Sequence, residues 1–224
     1  MSYSPLLISL KAAFLATIIT FILGIYAAYL TTKLKSFKGL VDGIFTLPLV
    51  LPPTVVGFFL LVTLGKNSII GKILSTYNIS IVFTPTATII ASAIVAFPLM
   101  YRTARGAFEQ LDRNMIYVAR TLGLSEHEIF LKIMIPNCLP SLVAGTILAF
   151  ARALGEFGAT IMLAGNIPGK TQTMAVAVYS AVQAGNRELA YKWVTVMVII
   201  SFITILIMNK YETVNFSKIG KGGN

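Results

Sequence analysis

Long uncharged apolar runs alternate with short charged segments along this chain. A helix needs about 20 apolar residues to cross a bilayer core. Residues 12–32 are uncharged and predict a first span. Residues 43–65 predict a second, interrupted by Pro48, Pro52 and Pro53; with Gly57 they predict a kinked helix. Residues 73–101 are also uncharged, but Asn78, Ser80 and Pro85 predict a loop before a third span over 85–101. A fourth span covers 139–163 and carries Arg152 and Glu156. Residues 165–170 predict a turn. Residues 171–186 are uncharged but short and rich in Thr, Gln and Ala, which predicts an interfacial or re-entrant helix. A fifth span covers 189–208, before a polar, glycine-rich, basic tail over 209–224. No internal repeat or second domain is visible. The chain reads as one all-α membrane domain over 1–224 with about five spans.

Residues 102–136 break the apolar pattern and predict two short amphipathic helices. Phe108, Leu111, Met115, Val118 and Leu122 recur at helical spacing. Gly123 then supplies a helix stop. Ser125 followed by Glu128 predicts a capping box, with Ile129, Phe130 and Ile133 on the apolar side of the second helix. Pro136 is expected to end that helix and Pro140 to open the next. The apolar face of this pair needs a cover: the chain's own helices, the membrane surface or a partner's groove.

Composition agrees with the pattern. Of 224 residues, 56% are hydrophobic and 12% charged, about half the usual charged share of a soluble domain. A net charge of +10 in a soluble protein would suggest nucleic acid. Here the charges lie between apolar runs, so they set orientation and argue against a nucleic-acid partner. With five spans, Lys33, Lys35, Lys38, Arg102, Arg105, Arg113, Arg120, Lys132, Lys210, Lys218 and Lys221 share one side, eleven in all. Lys11, Lys66, Lys72, Lys170, Arg187 and Lys192, six in all, share the other. The richer side is expected to be cytoplasmic, which puts the N-terminus outside and the C-terminus inside. Met1 to Leu10 carry no basic residue and no small-residue cleavage site follows a short apolar core, so the first apolar run reads as a retained span. Cys138 stands alone, so no disulfide forms within the chain. His127 lies between two glutamates and reads as a solvated loop residue, so no metal or cofactor site is expected.

The residues around Gly123 carry a resemblance. Tyr117-Val-Ala-Arg-Thr-Leu-Gly123-Leu-Ser125, followed by Phe130 and Ile135-Pro136, is similar to the cytoplasmic signature loop of ABC importer permeases. The match keeps Ala119, Gly123 and the apolar–proline ending; Tyr117 and Val118 replace the usual Glu and first Ala. The resemblance implies a coupling element that docks on an ATP-binding subunit through about 119–133, with Ala119, Leu122, Gly123, Ser125, Glu128, Phe130 and Pro136 as coupling residues. Three further blocks resemble the molybdate branch of that family: Leu47 to Gly57, Phe97-Pro-Leu-Met100, and Phe150 to Thr160 with Asn166-Ile-Pro-Gly-Lys-Thr-Gln-Thr173. Sulfate permeases carry a related Gly-Glu-aromatic-Gly block, and the Asn-Ile-Pro-Gly turn favours molybdate or tungstate. The resemblance implies a type I importer permease in the cell membrane, without catalysis of its own. Its implied partners are a second copy of the chain, two ATP-binding subunits and an external molybdate-binding protein.

Arg152 and Glu156 are spaced to meet on one helix face. They lie roughly 20–25 Å along the helix from Leu139, beyond mid-bilayer. The pair reads either as a packing lock or as a pathway element, and a carboxylate free to face a dianion would repel it. Gly155, Gly158, Pro52 and Pro53 are further pathway or packing candidates. Small residues recur at Gly145, Ala149 and Ala153 and at Ala151, Gly155 and Ala159, a spacing that permits close helix approach within the chain or across a dimer. Gly169-Lys170-Thr171 imitates the end of a phosphate-binding loop, but the required first glycine is Ala164. A secondary transporter would need further intramembrane ionisable residues or an inverted repeat. An intramembrane enzyme would need a nucleophile–base pattern that the chain lacks.

Overall fold

The computed structural model describes residues 3–34 and 36–219. Eleven α-helices follow in order: α1 Ser4–Lys33, α2 Lys38–Val50, α3 Pro53–Leu64, α4 Ile69–Thr76, α5 Pro85–Glu109, α6 Arg113–Thr121, α7 Glu126–Ile129, α8 Ile135–Leu154, α9 Gly158–Ala164, α10 Met174–Gln183 and α11 Arg187–Ile219. A π-helical turn, Phe130–Met134, joins α7 to α8. No strand occurs among the described residues. Four helical stretches are long and apolar enough to cross a membrane: Ser4–Lys33, Pro85–Glu109, Glu126–Leu154 and Arg187–Met208. The bent pair α2–α3 is long and apolar enough to make a fifth when its two helices are taken together.

The centre of the bundle is α1, α5 and α8. Small residues let them approach. Ala12, Ala13, Ala16, Thr20, Gly24 and Ala28 form the buried stripe of α1. A Cβ on Gly24 would lie 3.0 Å from Met100 Cγ, and one on Gly145 would lie 3.0 Å from Thr103 Cβ, so α5 is gripped from both sides. Gly145, Ala149 and Ala153 are therefore an intramolecular face. Thr17 and Thr31 donate their hydroxyls to the carbonyls of Ala13 and Ala27 at 2.7 and 2.8 Å, which satisfies them inside an apolar layer. The outer surface is apolar as well: Ile22, Val50, Phe202 and their neighbours are more than half exposed. Such a surface fits lipid rather than water.

Several boundaries differ from the sequence expectation. The third span continues beyond residue 101 to Glu109, so Phe108 belongs to α5 and not to the first amphipathic helix. Asp112 starts α6 instead: its carboxylate accepts the Asn114 N–H at 2.9 Å. Pro136 does not end a helix. The chain stays helical from Glu126 to Leu154, with the Ile135 N–H reaching back to the Phe130 carbonyl. That wider turn gives the proline ring room where an α-helical carbonyl would clash. The fourth span does not continue to 163 as one helix; it stops at Leu154 and α9 begins at Gly158. The second span is not one kinked helix either: α2 and α3 meet at 111°. The short helix α4, capped by Ser68, occupies part of the region expected to be loop. Residues 171–186 form α10, ten residues long and about 15 Å, too short to cross. Helix α11 continues to Ile219, through most of the expected tail; residues 220–224 and Lys35 lie outside the described residues.

Candidate functional site

One candidate site is the α6–α7 element, set at one end of the bundle. Helix α6 closes with two reversed hydrogen bonds, Gly123 N–H to the Arg120 carbonyl at 3.0 Å and Leu124 N–H to the Ala119 carbonyl at 3.2 Å. Gly123 takes φ +81°, the left-handed conformation that this closure requires. Ser125 and Glu128 then form the reciprocal capping box of α7. Lys132 Nζ stands 2.8 Å from Glu128 Oε1, and the Ser125 hydroxyl donates to Oε2 at 3.0 Å.

The element is anchored from below. The Phe130 ring stacks obliquely on Tyr29 of α1, with centroids 4.2 Å apart, and lies edge-on to Phe108 of α5 at 6.0 Å. The Tyr29 hydroxyl donates to the Glu126 carbonyl at 3.2 Å. The Glu126 carboxylate sits between Arg120 Nε at 2.7 Å and Lys33 Nζ at 2.9 Å. Ala119 and Phe130 are thus buried inside the chain. Leu122, Gly123, Ser125 and Pro136 are exposed, with Glu128 half-exposed. Met115, Val118 and Leu122 turn outward, Leu122 being 75% exposed, so the apolar face of α6 is not covered by the chain itself.

A second candidate site lies where two broken helices meet. Pro52 and Pro53 leave Leu51 extended and remove two backbone donors, which ends α2 and starts α3. Helix α9 packs across α3. A Cβ on Gly158 would lie 2.9 Å from Pro53 Cβ and 3.0 Å from the Thr54 nitrogen. A Cβ on Gly57 would lie 2.7 Å from Ala159 Cα. The glycines are what allow the two backbones to touch. Gly57 therefore serves a close crossing, and Ala159 of the second small-residue row is buried there, while Ala151 and Gly155 of that row remain exposed.

The break between α8 and α9 holds the charged pair. Arg152 Nη1 stands 2.8 Å from Glu156 Oε2. Glu156 Oε1 accepts the Ala159 N–H at 2.7 Å and so caps the first turn of α9. Glu156 is not on a continuous helix face, as the spacing predicts, but in the break, where its carboxylate meets both partners. Its side chain is 1% exposed and that of Arg152 is 29% exposed. Beside it, the Thr160 hydroxyl is buried with no hydrogen-bond partner among the described residues. Further out, Asn166 donates to Ser180 Oγ at 2.7 Å and accepts from Gln172 at 2.9 Å, which shapes the turn that precedes α10.

The structure thus separates the sequence candidates into two groups. Leu122, Gly123, Ser125, Glu128 and Pro136 belong to the α6–α8 end, together with the buried anchors Ala119 and Phe130. Pro52, Pro53, Arg152, Gly155, Glu156 and Gly158 lie at the two helix breaks. Sequence reasoning missed Tyr29, Lys33 and Thr160. Tyr29 contacts a carbonyl 97 residues away, and no local pattern marks that contact.

Comparison with known proteins follows the same lines. Residues 20–210 match the family described as binding-protein-dependent transport system inner membrane component. The chain is 37% identical over 222 residues to ModB of Escherichia coli K12, a molybdenum transport system permease protein, covering 98% of this chain and 97% of that one. It is 44% identical over 213 residues to YvgM of Bacillus subtilis, whose name assigns it provisionally to molybdenum transport, covering 94% of each. Its fold is similar to a chain of the inward-facing MetNI methionine ABC transporter, with a TM-score of 0.71, 16% identity and 92% of each chain covered.

Proposed function

The chain belongs to the binding-protein-dependent transport system inner membrane components, and on that premise we propose that it is the permease subunit of an ATP-binding cassette importer for molybdate. It is a multi-pass membrane protein, and it provides the route rather than the energy. Likeness to ModB over almost the whole chain is the observation that carries the substrate. Sulfate is the alternative oxyanion.

The α6–α7 element supports the coupling role. Its outer face is apolar, capped at both ends and uncovered by the chain. Its inner face is clamped to α1 by Tyr29 and Lys33 and to α5 by Phe108. An ATP-binding subunit seated on Met115, Val118 and Leu122 would therefore move α1 and α5 together. Two copies of the chain, two ATP-binding subunits and an external molybdate-binding protein complete the assembly. The surrounding lipid solvates the apolar outer face. The α6–α7 end and the C-terminus face the cytoplasm, and the N-terminus faces outward. ATP-driven closure of the ATP-binding subunits shifts the α6–α7 element and switches the spans between inward-open and outward-open states.

The test is uptake into vesicles holding the chain and its ATP-binding subunit, with the binding protein supplied outside. Labelled molybdate should accumulate only with ATP and only with the ATP-binding subunit. Uptake without that subunit would mean a secondary transporter or channel. Stronger competition by sulfate than by unlabelled molybdate would reassign the substrate.

A further inference from the structure

We infer that the exposed edge of the Arg152 guanidinium is a direct contact for the transported tetrahedral oxyanion inside the membrane, and that Glu156 holds that edge in place. The inference rests on the transport reading above and adds a residue to it.

The pair is asymmetric. Both carboxylate oxygens of Glu156 face inward: Oε1 takes the Ala159 N–H at 2.7 Å and Oε2 faces Arg152 Nη1 at 2.8 Å. With a side chain 1% exposed, the carboxylate is hidden from any passing anion. Arg152 has five N–H donors, and Glu156 is the acid it meets among the described residues. Its side chain is 29% exposed where that of Glu156 is closed off. Gly155, three residues on, is exposed as well. The pair is therefore an oriented dipole with its negative end buried and its positive end open.

Position gives this orientation its meaning. Arg152 lies in the membrane-spanning stretch Glu126–Leu154, two residues from its end. A guanidinium edge facing lipid there would be costly, and such residues face a polar route or pair with a counter-charge. Its counter-charge, Glu156, is already used on the inner side. A planar fork of donors matches the oxygens of a tetrahedral dianion, which must replace its water when it enters the membrane. The buried acid explains how the site avoids repelling that dianion: its charge is met by Arg152 and by the first turn of α9.

The experiment uses the complete transporter in vesicles. Arg152→Gln with Glu156→Gln removes both charges and keeps hydrogen-bonding side chains at both positions. The double variant should co-purify with the ATP-binding subunit and hydrolyse ATP within about twofold of wild type, while molybdate uptake falls at least tenfold. Uptake within twofold of wild type would overturn the inference. Phenylglyoxal labelling of wild-type Arg152, read by peptide mass, gives a second measurement that does not depend on a variant folding. Saturating molybdate with ATP should slow the labelling several-fold. An unchanged rate, or no labelling in any state, would show that the guanidinium does not meet the anion. Failure of the transport reading is visible separately, because the wild-type vesicles would then take up neither molybdate, tungstate nor sulfate.

Discussion

Gly57 of α3 and Ala159 of α9 meet backbone to backbone: a Cβ on Gly57 would lie 2.7 Å from Ala159 Cα and 2.9 Å from its carbonyl oxygen. Neither atom belongs to a flexible side chain that could turn aside. Gly57→Ala should therefore push α3 from α9 and destabilise the chain by about 1–3 kcal/mol. Thermal unfolding in detergent measures this. Gly106→Ala, where a Cβ meets nothing within 4 Å, is the control and should melt like wild type. Equal melting of the two variants would show that the crossing is looser than described.

Gly123 makes a different demand. A Cβ there meets nothing within 4 Å, but φ is +81°. Gly123→Val should cost about 1–2 kcal/mol through the backbone alone, and more from its branched side chain. The helix stop would open and the α6 face would tilt. The chain should insert normally while ATP hydrolysis loses its dependence on substrate and uptake falls. Gly123→Asn, which tolerates the left-handed region, should be milder. Full substrate-stimulated hydrolysis and uptake in the valine variant would remove Gly123 from the coupling mechanism.

Orientation is open to a direct check. The charge asymmetry predicts that the α6–α7 end and the C-terminus face the cytoplasm. A reporter fused after Gly223 should be active only in its cytoplasmic form. Activity outside would require an even number of crossings.

Removal of Glu156 has two effects at once. Glu156→Ala unpairs Arg152 and leaves the Ala159 N–H uncapped, and breaking a buried pair from one side typically costs 3–5 kcal/mol. This variant should assemble poorly with the ATP-binding subunit. Arg152→Leu with Glu156→Leu should recover assembly in part, since no charge is stranded. Transport by that double variant separates a packing lock from an anion contact: a lock predicts recovery, a contact predicts loss. Normal assembly and uptake by Glu156→Ala would mean that the two side chains do not depend on each other.

Local chemistry was legible in the sequence; long-range geometry was not. The Ser125–Glu128 capping box and the Gly123 stop rest on residues within four positions of each other, and the structure contains both. The 3.6-residue period marked Met115, Val118 and Leu122 as one face, but a period says nothing of what covers that face. Pro136 misled because proline stops a helix only when the preceding turn is α-helical, and a π turn spares the clash. The α8–α9 break lacked a proline to announce it. Gly155 and the carboxylate of Glu156, which caps the new helix, produce it instead. Tyr29, Phe108 and Phe130 assemble from three distant segments, and nothing in any one of them signals the other two.

The π turn at Phe130–Met134 has a mechanical consequence. Because the chain stays helical through Pro136, the residues beside the exposed apolar face of α6 and those beside the α8–α9 break belong to one helical stretch, Glu126–Leu154. No loop lies between them to absorb a displacement. Twenty-nine residues make a lever about 43 Å long. A tilt of about 10° around its middle carries each end by roughly 4 Å. For a straight rod, a displacement of that size at Glu126 would reach Arg152 in the opposite direction.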